Sequence, residues 1–171
     1  MKDVAVLLNA MRDEGIIGDY ALFGAAAQMR YTEAVATLDA DVLVVMPAPD
    51  RLDPLAPIYD FCRARGYHPE GEAVRVGGWP VQFIPVFNDL TREALAEAET
   101  ADFDGEPFRV VSPVHLAVVA LATGRPKDFT RVLALLDAGA VTREQVAALS
   151  ARHGLADAWR CFERRFLDDA P

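Results

Sequence analysis

The strongest structural pattern in this 171-residue chain is Leu22-Phe23-Gly24-Ala25-Ala26-Ala27 followed by Thr37-Leu38-Asp39-Ala40-Asp41-Val42-Leu43-Val44-Val45. The first stretch predicts a strand that ends in a turn of small residues, and the second predicts a strand that begins with two carboxylates. Because strand side chains alternate between the two faces of a sheet, Asp39 and Asp41 are predicted to point the same way. Two carboxylates on one face repel each other unless a cation lies between them. Magnesium prefers oxygen ligands and often binds one or two carboxylates together with nucleotide phosphates. The pattern therefore favours nucleotide chemistry.

A simpler interpretation of the two carboxylates stays open from the residues alone. Asp is common at strand ends, where it caps turns and remains in water, and Asp-x-Asp by itself is a weak signal. The surrounding sequence favours a site for metal and nucleotide, because a glycine turn precedes the acids, Thr37 stands just before them and an apolar run follows. That run, residues 42–46, predicts a buried central strand.

Composition and charge limit the classes of protein to which the chain can belong. Its length predicts one compact domain or a small two-lobed unit, and its hydrophobic content of 52% predicts a globular protein. The formal net charge of -9 argues against a broad basic surface for large nucleic acids. No apolar run approaches membrane-spanning length, and the first residues lack the pattern of a signal peptide. Cys62 and Cys161 have no paired spacing, which predicts two reduced, buried thiols and a cytoplasmic location.

The order of predicted elements favours an α/β (α+β) fold with a mixed sheet flanked by helices. Helix, strand and turn signals alternate in the first part, residues 1–112, and residues 113–171 form a helical segment packed on it. The predicted strands are residues 20–23, 39–46, 73–76, 81–86 and 108–111. The predicted helices are residues 4–14, 25–30, 54–65, 91–100, 114–123, 127–138, 142–152 and 156–166.

These motifs resemble those of the nucleotidyltransferase superfamily, in particular its minimal and abortive-infection toxin-like branch. The family motif is an apolar residue, Gly and then Gly or Ser, about ten further residues, and Asp-apolar-Asp. Here Phe23-Gly24-Ala25 is followed after thirteen residues by Asp39-Ala40-Asp41-Val42. The later segment Gly124-Arg125-Pro126-Lys127-Asp128 resembles the helix opening that follows the sheet in the toxin-like branch. The resemblance covers residues 18–166.

The resemblance implies roles for specific residues. Asp39 and Asp41 would be the catalytic acids and the magnesium ligands. The turn at Gly24 and Ala25 would approach the nucleotide phosphates. The further residues that the resemblance implies for nucleotide binding are Thr37, Arg125 and Lys127.

Four positions depart from the family pattern. A third carboxylate is expected on the strand at residues 79–84, where this sequence has Gln82, which would then line the acceptor side. An amide can offer its oxygen to a metal, but it cannot accept a proton. Ala25 replaces a Gly or Ser in the turn, and Val114 and Ala120 stand where toxin-like relatives carry an acid and a lysine.

The helix opening at Pro126 has two interpretations from sequence. Pro at the first helical position leaves the next N–H groups free for an anion, and Arg125, Lys127 and Arg131 would add positive charge. Alternatively, Asp128 favours the positive end of the helix and pairs with Arg131 at i+3. No two histidines share metal-ligand spacing, so each is predicted to be a surface or packing residue. The aromatic anchors of the core are predicted to be Trp79 and Trp159.

The sequence therefore predicts a nucleotidyltransferase-like protein that uses magnesium to move a nucleoside monophosphate from a nucleoside triphosphate to a hydroxyl acceptor. The alternative is a catalytically inactive scaffold of the same fold that binds a nucleotide or an antitoxin-like protein partner. Retention of Asp39 and Asp41 favours the enzyme, and the neutral Gln82 favours the scaffold.

Overall fold

A computed structural model describes residues 1–33, 37, 39–48 and 52–168 of the chain. Within these residues the helices are α1 (Lys2–Asp13), α2 (Gly24–Gln28), α3 (Ala56–Ala64), α4 (Asp89–Ala96), α5 (Pro113–Thr123), α6 (Pro126–Asp137), α7 (Arg143–Arg152) and α8 (Ala156–Phe166). The strands are β1 (Asp19–Phe23), β2 (Ala40–Val45), β3 (Pro69–Glu70), β4 (Ala73–Val76), β5 (Trp79–Pro85), β6 (Glu99–Phe103) and β7 (Glu106–Val110).

The strands form one mixed seven-stranded sheet in the order β3-β4-β5-β2-β1-β7-β6. Strands β1 and β2 are antiparallel, whereas β2 pairs in parallel with β5 and β1 pairs in parallel with β7. The acidic strand β2 is therefore the middle strand of the sheet, as its apolar run predicts. Ala40, Val42 and Val44 are fully buried on one face, which leaves the opposite face at the start of β2 for the carboxylates.

The mixed α/β fold predicted from the sequence is confirmed, with one substantial correction after β5. The predicted helix at residues 91–100 ends at Ala96, and the chain turns back as the strand β6, which sequence analysis missed. Strand β6 forms an antiparallel hairpin with β7. The turn of this hairpin contains Asp104 and Gly105, both with positive φ, and Asp-Gly is a strong hairpin signal. The cap of α4 is Asn88, whose side chain accepts from the Thr91 N–H in a capping box.

The helical segment is organised around α5. Every residue of α5 from His115 to Leu121 is buried, because the helix packs against α2, α4, α6, α7 and α8. A helix that is apolar on all sides is stable only when other elements cover it completely. Helix α5 therefore joins the helical segment to elements of the first part, and the division between residues 112 and 113 stays a prediction.

The structure corrects two predictions about buried side chains. Trp159 is a buried core residue as predicted, but Trp79 is only partly buried at the start of β5. Cys62 is buried as predicted, but Cys161 is exposed on α8. In the described residues, none of the helices has the length and apolar character needed to cross a membrane.

The two edges of the sheet differ in length and charge. At one edge, β3 has only two residues, both exposed. At the other edge, β6 presents Glu99 and Asp102 to solvent.

Candidate functional site

One cavity of about 680 Å³ brings together every residue that the sequence predicts for the site. It lies between the sheet, the turn into α2 and the first half of α6. The predicted residues that line it are Gly24, Ala25, Thr37, Asp39, Asp41, Gln82, Arg125 and Lys127. Ala120, one of the four departures from the family pattern, also lines this cavity, whereas Val114 is not among its lining residues.

Strand register places Gln82 beside the acids. On β2, Asp41 is paired with Gln82 of β5 on one side and with Phe23 of β1 on the other. Residues opposite each other on neighbouring strands project from the same face of the sheet, so Gln82 occupies the wall next to Asp41. An amide therefore stands where the resemblance places the third carboxylate.

Gly24 allows the α2 turn to approach Asp41 closely. Its φ of +65° lies in the left-handed region that glycine adopts at no steric cost. A Cβ at this position would overlap Oδ2 of Asp41 and lie 3.2 Å from its Cγ. The close contact between the Gly24 backbone and the Asp41 carboxylate therefore has no room for any other amino acid.

The electrostatic environment raises the pKa of Asp41. The main cause is burial, which disfavours the charged form, and the second is the neighbouring negative charge of Asp39. The cations of α6 act in the opposite direction, led by Arg131. Across the described residues, no Lys, Arg or His nitrogen lies within 4.0 Å of a carboxylate oxygen of Asp39 or Asp41. The acids thus face the cavity without an ion-pair partner.

Among the residues that the structure describes, no third acid completes the pair of carboxylates. Within the part of the chain that the structure describes, no further Asp, Glu, His or Cys brings a ligand atom into a common cluster with Asp39 and Asp41. Glu70, Glu72 and Asp89 are all outside such a cluster, and Asp89 instead pairs with Arg92 on the surface of α4.

The hydroxyl of Thr37 orients Asp39. Its Oγ1 lies 3.0 Å from the backbone oxygen of Asp39 and 3.3 Å from the carboxylate Oδ1, and it donates to these acceptors. Thr37 lines the cavity, but its hydroxyl hydrogen is used within the site. This contact indicates that Thr37 fixes the position of the first acid.

The opposite wall of the cavity is a cationic cluster built on α6. The carboxylate of Asp128 is fully buried, and it accepts at 2.6 Å from Arg125 and at 3.4 Å from Arg131. Gln28 of α2 accepts a further hydrogen bond from Arg131 at 3.2 Å. The predicted pairing of Asp128 with Arg131 is therefore present, and a second arginine shares the same acid.

The pairing with Asp128 does not neutralise the cationic wall. Arg125 and Arg131 share a single carboxylate, and Lys127 is exposed beside them, so the cluster carries a formal charge of about +2. The hydrogen bond to Asp128 raises the pKa of Arg125, whereas burial lowers the pKa of Arg131. A cationic wall facing two free carboxylates suits a ligand that holds phosphate groups together with a metal ion.

A second cavity begins on the far side of Gln82. It has a volume of about 610 Å³ and shares Gln82 and Ile84 with the first cavity. Its other charged lining residues are Asp53, Arg63 and Glu72. Gln82 therefore separates the cavity that contains the paired acids from a neighbouring space of similar size.

Three residues that shape the site are not among those that the sequence predicts for it. Gln28 is buried and holds Arg131 in place, Asp128 is the fully buried acid of the cationic wall, and Phe87 lines the cavity although its side chain is largely exposed. The sequence predicts Asp128 only as a helix-end charge that pairs with Arg131, and its burial and its second partner Arg125 come from the fold. An exposed aromatic residue at a cavity edge gives no signal in a single sequence.

Comparison with known proteins shows the fold. No protein-family model matches the sequence, and no curated protein matches it significantly. Among solved structures, a nucleotidyltransferase-like antigenic protein from Paracoccidioides brasiliensis is 13% identical and covers 92% of this chain and 90% of its own, with a TM-score of 0.57. The antibiotic-resistance factor ANT(2'')-Ia, solved in solution, is 15% identical and covers 96% of both chains, with a TM-score of 0.53.

The mixed sheet has the paired acids at the start of its middle strand, beside a glycine turn, and its fold is that of nucleotidyltransferase-like structures. The chain therefore has the nucleotidyltransferase-like fold of these two structures, which is the fold that the resemblance in the sequence implies. The similarity spans at least 92% of the chain, so the helical segment is part of the shared architecture.

We expect Gly24→Ala to destabilise the protein more than Gly139→Ala. Both glycines have a φ of +65°, but a Cβ at Gly139 would meet no atom within 4 Å, whereas a Cβ at Gly24 would overlap Asp41. Each alanine loses about 1 kcal/mol from its left-handed backbone, and only Gly24→Ala adds the overlap. Chemical denaturation of the two variants measures the difference. Equal losses of unfolding free energy would show that the contact with Asp41 does not constrain the turn.

We expect Asp41→Asn to stabilise the protein at neutral pH. The folded state raises the pKa of Asp41, so its ionised form is less favourable in the folded than in the unfolded chain. Stability is lost as the pH rises from the unfolded pKa through the folded pKa, and the amide removes this loss. The melting temperature of Asp41→Asn should therefore be higher than that of the native chain at neutral pH.

The gain for Asp41→Asn should disappear below the unfolded pKa of the carboxyl, where both variants are neutral at this position. Glu72→Gln, which removes an exposed carboxylate near the same sheet, serves as the control. A lower melting temperature for Asp41→Asn at neutral pH would contradict the assigned environment of this acid.

Proposed function

We propose that this chain binds a nucleoside triphosphate with magnesium in the 680 Å³ cavity and transfers a nucleoside monophosphate to the hydroxyl of an acceptor. The observation that carries this proposal is the arrangement of two unpaired carboxylates, Asp39 and Asp41, opposite the cationic wall of α6. Two acids without counter-ions are unfavourable in a partly buried cavity unless the physiological ligand brings positive charge.

The residues present fit a magnesium ion. Asp39 and Asp41 offer carboxylate oxygens, and Gln82 offers an amide oxygen beside Asp41. When bound, the ion would neutralise charge on the phosphates and on the reacting oxygens. These carboxylates would hold it, and the Thr37 hydroxyl would keep Asp39 in position.

The cationic wall would bind the triphosphate. Arg131 is mostly buried and is held by Gln28 and Asp128, so its guanidinium is already ordered before a ligand arrives. Lys127 is exposed and free to follow the phosphates. Ordered cations reduce the entropy lost on binding and give charge-assisted hydrogen bonds to phosphate oxygens.

The second cavity would admit the acceptor. In the proposed reaction an oxygen of the acceptor forms a bond to the α-phosphorus, the bond from that phosphorus to the bridging oxygen breaks, and pyrophosphate leaves. Gln82 lies between the two cavities and would orient the acceptor hydroxyl by hydrogen bonding. Because an amide does not accept a proton, the hydroxyl proton passes to solvent. Asp53 and Glu72 in this cavity, together with the net charge of -9, disfavour a large nucleic-acid acceptor.

The second candidate function is a nucleotide-binding scaffold that performs no transfer. The specific observation in its favour is Gln82 at the position of the third acid, with no other acid in reach among the described residues. An antitoxin-like protein partner, membership in the toxin-like branch and a cytoplasmic location remain predictions from the sequence. Both candidates require the triphosphate site, and they differ only in the transfer step.

We expect calorimetric titration to show binding of a nucleoside triphosphate that depends on magnesium. The Asp39→Asn, Asp41→Asn double variant should bind at least about tenfold more weakly, a loss of roughly 1.4 kcal/mol, because it lacks the charges that hold the ion. Each of the four ribonucleoside triphosphates is titrated with and without magnesium chloride.

Lysine variants provide the matched control for this titration. Lys127→Ala should weaken binding about tenfold, as expected for one charged hydrogen bond. The only other lysine of the sequence, Lys2, is exposed and bonds to the backbone oxygen of Asp104, and Lys2→Ala should bind like the native chain. Both candidate functions fail if no triphosphate binds to the native chain, or if the Asp39→Asn, Asp41→Asn double variant binds it with unchanged affinity.

We expect Gln82→Glu to increase the rate of transfer. The variant adds a carboxylate beside Asp41 that can accept the proton of the acceptor hydroxyl, and positioned general bases contribute roughly 100- to 10,000-fold. Pyrophosphate release is measured with glycerol, a serine peptide and an oligoribonucleotide with a free 3′-hydroxyl as acceptors.

Gln145→Glu is the control for the added charge, because Gln145 is exposed in the capping box of α7, far along the chain from the cavity. Activity of the native chain that rises in Gln82→Glu supports the transferase. A native chain and a Gln82→Glu variant that both bind triphosphate and release no pyrophosphate would support the scaffold.

A further inference from the structure

A second group of potential metal ligands lies outside the nucleotide cavity. Glu93 lies within α4, Glu97 directly follows the last residue of this helix, and His115 lies in the first turn of α5. One ligand atom from each of these three residues lies within 4.8 Å of the others. We refer to Glu93, Glu97 and His115 as the α4–α5 cluster.

His115 is the residue that distinguishes the α4–α5 cluster from an ordinary acidic surface. Its side chain is 1% exposed, and in the described part of the chain its Nε2 makes no hydrogen bond. This nitrogen points at the two acids, 3.4 Å from Oε1 of Glu93 and 4.0 Å from Oε2 of Glu97. A buried polar atom without a hydrogen-bond partner is unfavourable, so binding of a ligand at Nε2 would remove an energetic cost.

The environment of His115 keeps Nε2 available as a ligand. Its Nδ1 lies 2.8 Å from the hydroxyl of Ser112, and when Nδ1–H donates to that oxygen the lone pair is on Nε2. Burial lowers the pKa of His115, which favours the neutral imidazole that metals require. A hydrogen bond to the second ring nitrogen is also the usual way in which proteins orient a metal-binding histidine.

We propose that the α4–α5 cluster binds a transition-metal ion of the zinc type through Nε2 of His115 and the carboxylates of Glu93 and Glu97. Nitrogen and carboxylate oxygen in this combination are typical zinc ligands, whereas magnesium selects oxygen ligands alone. The site fastens the end of α4 to the start of α5, so it joins an element before residue 112 to one after it.

Two neighbouring side chains, His153 and Arg152, also contact Glu93. His153, at the end of α7, lies 2.8 Å from Oε2 of Glu93 and orients this carboxylate. Arg152 forms an ion pair with Glu93, but its side chain is 59% exposed. It can therefore turn into solvent when a metal takes its place at the carboxylate.

The test uses the full chain without a histidine tag, freed of metal with a chelator. The Asp39→Asn, Asp41→Asn double variant is the parent protein, so that the acids of the nucleotide cavity cannot bind the probe. Zinc alone is titrated by calorimetry, and cobalt alone is titrated by visible absorption, which reports nitrogen and oxygen ligation directly.

We expect one zinc ion per chain and a rise in the melting temperature of the parent protein. Glu97→Gln should weaken zinc binding at least about tenfold, and His115→Gln should weaken it further. Glu97 is 60% exposed, so its amide variant tests the site without disturbing the core, and thermal melts without metal verify the folding of both variants. His68→Gln, in an exposed loop, is the matched histidine control and should bind like the parent.

Absence of zinc binding to the parent, or binding that is unchanged in a folded Glu97→Gln variant, would overturn the proposal. Equal stabilisation by magnesium and zinc would also overturn it, because the histidine nitrogen would then have no role. None of these outcomes depends on nucleotide binding, which is measured separately in the native chain.

Discussion

The close approach of the Gly24 backbone to the Asp41 carboxylate is the constraint around which the candidate site is arranged. It fixes the turn between β1 and α2 against the middle strand of the sheet, and it leaves no volume for a side chain at this turn. Burial raises the pKa of the same carboxyl, and the neighbouring charge of Asp39 raises it further. The packing contact with Gly24 holds the Asp41 carboxylate in a position where its negative charge is unfavourable. The fold tolerates this charge, and the acid faces the cavity.

The cationic wall interacts with the charge of Asp41 through space, without a direct ion pair. The charge of Arg131 partly offsets the rise in the pKa of Asp41. Its guanidinium is bonded to Asp128 and Gln28, however, and does not come within ion-pair distance of Asp41. A direct salt bridge would close the cavity and neutralise both walls. Asp128 pairs with both Arg125 and Arg131. The two acids on one side of the cavity and the cationic wall on the other therefore remain separated by a space in which a ligand with both signs of charge can lie. The site is therefore polarised before any ligand binds.

Sequence reasoning worked where local pattern and tertiary position agree. The acids on β2, the turn at Gly24 and the cations at the start of α6 were all predicted, because each follows from strand alternation, turn chemistry or helix-end rules. The strand β6 was missed, since apolar and acidic residues continue the pattern of α4 and only the Asp-Gly turn marks the hairpin. The α4–α5 cluster could not be predicted either. His115 and Glu93 meet through helix packing, and no spacing in the sequence relates them.

The unequal edges of the sheet have a consequence for the behaviour of the protein at high concentration. An open sheet presents unpaired backbone groups at both ends, which are templates for the addition of strands from other chains. Here one edge, β3, is only two residues long and offers few such groups. The other edge, β6, carries the exposed acids Glu99 and Asp102, and the chain's overall negative charge adds repulsion between copies. Both edges therefore disfavour the addition of strands from other copies of the chain.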